Sequence, residues 1–130
     1  MLLTVDIGNT NITIGVFKDD ELLFTSRLAT DRKRTADQYA VELLNVFNLH
    51  SAVISDFSGA IISSVVPEVT DALKSAVITV TGKTPQILST DIGSGLKVIN
   101  NINGQIGADI AAVSVGAINK YPLPCFILDL

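Results

Sequence analysis

Three strand-like runs fill the first 29 residues, and they narrow the folds open to the rest of the chain. Leu2–Asp6 is a short apolar run that ends in an acid. Asn11–Phe17 alternates Ile12, Ile14 and Val16 with Thr13, Gly15 and Phe17, which is the period of a strand. Gly8-Asn9-Thr10 between them has turn chemistry, so the pair reads as a hairpin. Lys18-Asp19-Asp20 marks a second turn, and Glu21–Ala29 a third strand with Leu23, Thr25 and Arg27 on one face. The chain therefore opens with an antiparallel meander, and the remaining hundred or so residues have to cover that sheet.

Helical and strand periods alternate after the meander. Asp31–Arg34 reads as a solvated charged loop. Thr35-Ala36-Asp37-Gln38 matches a capping box, and the helix it opens carries Ala36, Ala40, Leu43, Leu44 and Phe47 on one stripe, ending near His50. Gly59–Val65 is a continuous apolar strand of the kind buried on both faces. Pro67 suits the first position of a second helix, with Val69, Leu73, Ala76 and Val77 as its core face and Gly82 as its stop. Pro85–Leu88 reads as a short strand, Thr90–Gly95 as a loop, Leu96–Ile99 as a further extended stretch and Asn100–Gln105 as turns. Gly107–Asn119 is the last helix, halted before Pro122, and Cys125–Leu130 reads as the start of a buried strand. The class is α/β: a mixed sheet with helices on its faces.

Composition excludes several functions. The chain has 130 residues, 48% of them hydrophobic, with a net charge of −4 and a mean hydropathy of +0.47. This fits one domain and rules out disorder. The acidic balance argues against a nucleic-acid surface. No apolar run approaches the roughly 18 residues of a membrane helix, and the opening MLLTVDIGN lacks the basic segment of a signal peptide. We therefore expect no nucleic-acid or membrane partner and a cytoplasmic setting. A single cysteine, Cys125, excludes an internal disulfide and a zinc cluster and reads as a small core residue. The single histidine, His50, belongs to a helix end and is given no catalytic role. A chain that stops within an apolar strand is expected to be the first part of a longer protein, with one domain over 1–122 and the first strand of a second over 123–130.

Three acids carry the chemistry. Asp6 ends the first strand, so its carboxylate is expected at the sheet edge, where it could hold Mg²⁺ through water. Gly8 lets backbone approach a phosphate, and the turn amides with Asn9, Thr10 and Asn11 can donate to its oxygens. A plain hairpin turn is the alternative. No Walker-type loop occurs. Asp109, in Gly107-Ala108-Asp109, falls at the positive end of the last helix, where it could accept a proton or only steady the helix. Gly107 and Ala108 are small enough to leave room for a ligand. Asp129 ends an apolar run as Asp6 does, an echo that points to a duplicated domain with a cleft between its halves.

Asp6-x-Gly8-Asn9-Thr10 with Gly15 and Phe17, then Ser64-Val65-Val66-Pro67, Gly107-Ala108-Asp109 and the Asp129 strand together resemble the type III pantothenate kinase family. The resemblance spans all 130 residues. It implies a ribonuclease-H-like, actin-like ATPase domain, the first of two, and a homodimeric enzyme that phosphorylates pantothenate with ATP in coenzyme A biosynthesis. It places Asp6, Ile7, Gly8, Asn9, Thr10, Asn11, Ile12 and Thr13 on the ATP phosphates with Mg²⁺. Asn100, Gly107, Ala108, Asp109 and Ile110 would contact pantothenate, Asp109 as the proton acceptor, and Asp129 would bind K⁺ or NH₄⁺. Two departures stand out. The family usually has Arg where this chain has Ile110, and an Asp-Asn-Pro-rich loop where it has Asn101-Ile102-Asn103-Gly104. Losing an Arg could alter recognition of a carboxylate substrate. A non-catalytic nucleotide-binding regulator of the same superfamily, or a kinase for another small hydroxyl compound, remains open on this reading, and these 130 residues alone are expected to be inactive.

Overall fold

A computed structural model describes residues 1–88 and 107–128. The meander forms as its pattern requires: β1 (Leu2–Ile7), β2 (Asn11–Lys18) and β3 (Glu21–Ala29) pair antiparallel in sequence order. Asp19 takes the positive φ of the second turn, at 53°, a conformation that aspartate tolerates better than most residues. The chain then crosses back through α1 (Ala36–Leu49) and a 3-10 turn (Ile54–Asp56) to place β4 (Gly59–Ser64) parallel to β1. After α2 (Pro67–Thr81), β5 (Gln86–Ile87) adds to β4 in parallel, and α3 (Ala108–Lys120) closes the described fold. The sheet order β3-β2-β1-β4-β5 makes β1 the central strand of a mixed five-stranded sheet.

Strand alternation divides the sheet into two faces. Leu3, Val5, Ile7, Ile12, Ile14, Val16, Ala60 and Ile62 are buried against α1 and α2. The capping box forms as expected, with Gln38 N–H donating to Thr35 Oγ1 and Thr35 N–H donating to Gln38 Oε1. The buried stripe of α1 is turned from the expected one: Ala40, Leu43 and Phe47 are inside with Tyr39 and Val46, while Leu44 is exposed and Ala36 half-buried. The Tyr39 ring reaches the core because its hydroxyl finds a partner at the rim, donating to the Asp31 carbonyl at 2.8 Å. Helix α2 buries Val69, Leu73, Ala76 and Val77 as its period predicts, and Gly82 ends it in the left-handed region at φ 67°. His50 sits at the end of α1, stacked 4.0 Å from the Phe24 ring and 2.9 Å from Ser26 Oγ. The charged loop is tied down more than expected, since Arg34 pairs with Glu42 at 2.8 Å.

The C-terminal end differs from expectation. Residues 125–128 form no strand, and Phe126 and Leu128 are exposed. A strand needs a neighbour for its backbone groups, and the ladder of the described residues ends at β3 and β5. Cys125 is accordingly half-buried and is no core residue. The short strand expected over Pro85–Leu88 contracts to Gln86–Ile87. The loop, extended stretch and turns expected between Thr90 and Gln105 lie outside the described residues. Among the described residues, no helix is long and apolar enough to cross a membrane.

Candidate functional site

The face of the sheet turned away from α1 and α2 carries the candidate site. Residues opposite one another in a sheet share a face. The register therefore sets Arg27, Thr13, Asp6 and Ser63 in one row across β3, β2, β1 and β4. The next row holds Thr25, Gly15, Thr4 and Ile61. Asp6 is thus on the central strand, one residue short of its end and flanked on both sides, and does not project from a sheet edge as expected. It remains exposed.

Helix α3 lies over this face and closes a cleft of about 440 Å³ against it. Asp6, Thr13 and Ser63 line the cleft from the sheet, and Asp109, Ala112 and Val113 line it from the helix. The spacing of Asp109, Ala112 and Val113 puts all three on one helix face. Toward the other end the lining turns apolar, with Phe17, Leu22 and Ile61. Gly15 keeps the floor low between Thr4 and Thr25. A Cβ there would come within 2.6 Å of Thr4 Oγ1, which donates to the Gly15 carbonyl at 3.2 Å.

Asp109 occupies the first turn of α3, where unpaired amides favour a negative charge. Its Oδ1 accepts a hydrogen bond from the Ile110 N–H at 2.8 Å, and its Oδ2 has no hydrogen-bond partner among the described residues. The space beside Gly107, expected to be open for a ligand, is filled by the Asp109 carboxylate itself, and a Cβ there would collide with Oδ1. Gly107 thus lets the acid fold back over the helix start. Neither Asp6 nor Asp109 joins an ion pair among the described residues. Both carboxylates are available to a cation or a hydroxyl group.

The turn between β1 and β2 is braced from outside. Gly8 N–H donates to the Asn11 carbonyl at 2.9 Å, Thr30 Oγ1 to the Gly8 carbonyl at 2.7 Å, and Thr30 N–H to the Thr10 carbonyl at 2.9 Å. The N–H groups of Asn9 and Thr10 have no acceptor among the described residues, and both residues are exposed. A braced turn with outward amides has the donor set that a phosphate requires. Arg32 adds a cation beside it, 3.4 Å from Asn9 Oδ1. No three His, Cys, Asp or Glu residues cluster among the described ones. A divalent ion here would rest on the Asp6 carboxylate, water and ligand oxygens, the mode Mg²⁺ favours.

The structure therefore gathers Asp6, Thr13 and Asp109 about one cleft, with Gly8–Asn11 at the turn beyond Ile7. Ile7 and Ile12 pair across the hairpin and belong to the core. The Ile110 side chain is 46% exposed and lies outside the cleft lining, so only its backbone serves the acid. Asn100 and Asp129 fall outside the described residues. Sequence reasoning missed Ser63, Thr4 and Thr25. The signal for Ser63 is the first of two serines that close an otherwise apolar strand, which gains meaning only once β4 is paired with β1. Ser64 serves locally: its Oγ accepts from Val66 N–H at 3.0 Å and Thr70 Oγ1 at 2.8 Å, fixing the entry to α2.

Comparison with known proteins gives the family. The family model described as type III pantothenate kinase matches residues 2–130. A type III pantothenate kinase of Finegoldia magna is 38% identical over 130 residues, 100% of this chain and 50% of that protein. One of Listeria innocua is 36% identical over 129 residues, 99% of this chain and 50% of that protein. The chain spans about half the length of these curated relatives. These matches show that the chain belongs to the type III pantothenate kinase family.

Proposed function

We propose that this chain forms the phosphate-binding and acid-bearing part of an enzyme that transfers the γ-phosphoryl group of ATP to pantothenate. The product is 4'-phosphopantothenate, and the reaction opens coenzyme A biosynthesis. The observation that carries the proposal is the convergence of Asp6 and Asp109, from opposite ends of the chain, on a single cleft.

Phosphoryl transfer has a loose transition state, so catalysis is mostly positioning and charge neutralisation. The turn amides of Asn9 and Thr10, with the side chains of Asn9, Thr10, Asn11 and Thr13, hold the phosphates of ATP. Asp6 would hold Mg²⁺ through water, and the ion would neutralise phosphate charge. Gly107, Ala108 and Asp109, with Asn100, border the pantothenate position, and the Ile110 N–H steadies the acid. The Asp109 carboxylate orients the pantothenate hydroxyl and takes its proton as the new P–O bond forms and the bond to the departing ADP breaks. Asp129 carries the K⁺ or NH₄⁺ site. The enzyme works in the cytoplasm as a homodimer, with the adenosine contacts supplied outside the described residues.

Asp109→Asn tests the reading in the full-length protein. Positioned proton acceptors contribute about 10²–10⁴-fold to rate, so we expect turnover to fall by at least about a hundredfold while the affinity for Mg-ATP stays within about twofold. Near-normal turnover would overturn the assignment. A wild-type protein that binds ATP and does not consume it with pantothenate would instead be a nucleotide-binding regulator.

A further inference from the structure

Ser63 is the one polar side chain whose buried oxygen has no hydrogen-bond partner among the described residues. The residue is 8% exposed, and it lines the cleft. It is the register partner of Asp6 on the adjacent parallel strand, and Thr13 flanks Asp6 on the other side. Neighbouring strands lie about 4.8 Å apart, so a group held by Asp6 and Thr13 is within reach of Ser63. A buried hydroxyl without a partner is costly, and few native structures keep one without a reason. Ser64, one residue on, has its hydroxyl oxygen engaged by Val66 and Thr70, in contrast to Ser63.

From this placement we infer that Ser63 is a further ligand-binding residue, whose Oγ–H donates to a phosphate oxygen of the nucleotide seated above Asp6. A phosphate beside the Asp6 carboxylate needs donors that add no further negative charge. A serine hydroxyl supplies one, and its burial withholds it from bulk water until a ligand arrives. The inference rests on the nucleotide reading of the Asp6 turn, and it adds β4 to the strands that grip the ligand.

Ser63→Ala and Ser63→Thr in the full-length protein test it, with Mg-ATP titrated calorimetrically and the ligand-free melting temperature recorded. A hydrogen bond to a charged group corresponds to about tenfold in affinity. Ser63→Ala should therefore raise the Kd for Mg-ATP about tenfold and leave the KM for pantothenate within about twofold. Its ligand-free Tm should be unchanged or higher, because the variant loses an unpartnered buried group. Ser63→Thr keeps the hydroxyl and should stay within about threefold of wild type. Wild-type affinity in Ser63→Ala overturns the inference. So does a Ser63→Thr as weak as the alanine variant, or an effect confined to the pantothenate KM. A wild-type protein that fails to bind Mg-ATP would overturn the nucleotide reading itself, and this inference with it.

Discussion

The two faces of the central sheet are built from the same strands and do opposite work. On one, Leu3, Val5 and Ile7 alternate inward with Ile12, Ile14 and Val16, and α1 and α2 seal them from water. On the other, the intervening residues Thr4, Asp6, Thr13 and Gly15 are small or polar, and α3 covers them only in part. Burial of apolar area stabilises the first face without demanding any particular geometry. The second contributes little burial and holds its groups by register. The residues that hold the molecule together and those that line the cleft therefore alternate along single strands, one position apart. Altering one face should move stability and leave the ligand alone, and altering the other should do the reverse.

The largest effect is expected at the dry face. Phe47 is fully buried on α1, with its ring 4.9 Å from that of Phe57. Phe47→Ala removes that packing and leaves a cavity, a change that costs about 3–5 kcal/mol. Denaturant unfolding of the full-length variant should show it as a lower midpoint, with Mg-ATP affinity unchanged for the fraction that remains folded. A loss below about 1 kcal/mol would show that α1 is not what holds this face.

The sequence revealed the dry face more completely than the wet one, for physical reasons. The four core residues of α2 come directly from a 3.6-residue period bounded by Pro67 and Gly82. In α1 the same logic found Ala40, Leu43 and Phe47, and erred at the stripe's margins. Leu44 and Val46 are both apolar, and only the packed structure shows that Val46 is the buried one. Tyr39, not named in that stripe, is buried because only its hydroxyl needs a partner. On the wet face, Asp6 and Asp109 were legible as acids at element ends, but their shared cleft depends on where α3 lies. Ser63 was hidden because β4 is apolar on both sides, so it carries no alternation to mark which residues face the ligand. The strand expected at Cys125–Leu130 failed over residues 125–128 because an apolar pattern supplies no ladder partner.

A smaller effect is expected where the wet face is most tightly built. Gly15→Ala would bring a methyl group against Thr4 Oγ1, 2.6 Å away as the structure stands. Thr4 can escape by turning its hydroxyl away, at the loss of its bond to the Gly15 carbonyl. The cost should be about 1 kcal/mol, the net worth of one such bond, and the midpoint of unfolding would measure it. A loss of about 3 kcal/mol or more, beyond what one such bond is worth, would mean that the backbone has moved, and that this face is packed as rigidly as the dry one.

Asp6→Asn should have the least effect on stability and separates the two faces most sharply. Asp6 is exposed and has no ion-pair partner among the described residues, so its carboxylate holds no other described part of the fold in place. The amide has the same shape and leaves the Asp6–Thr13 and Asp6–Ser63 register intact. Substitutions at such sites change stability by less than about 0.5 kcal/mol, and unfolding curves of the variant and the wild type should nearly coincide. The amide lacks the charge that would hold a hydrated Mg²⁺, so Mg-ATP affinity should fall about tenfold or more by calorimetry. Equal affinity would remove Asp6 from the metal-phosphate site. A large loss of stability would mean that the carboxylate is structural, and that the sheet does not divide its labour by face.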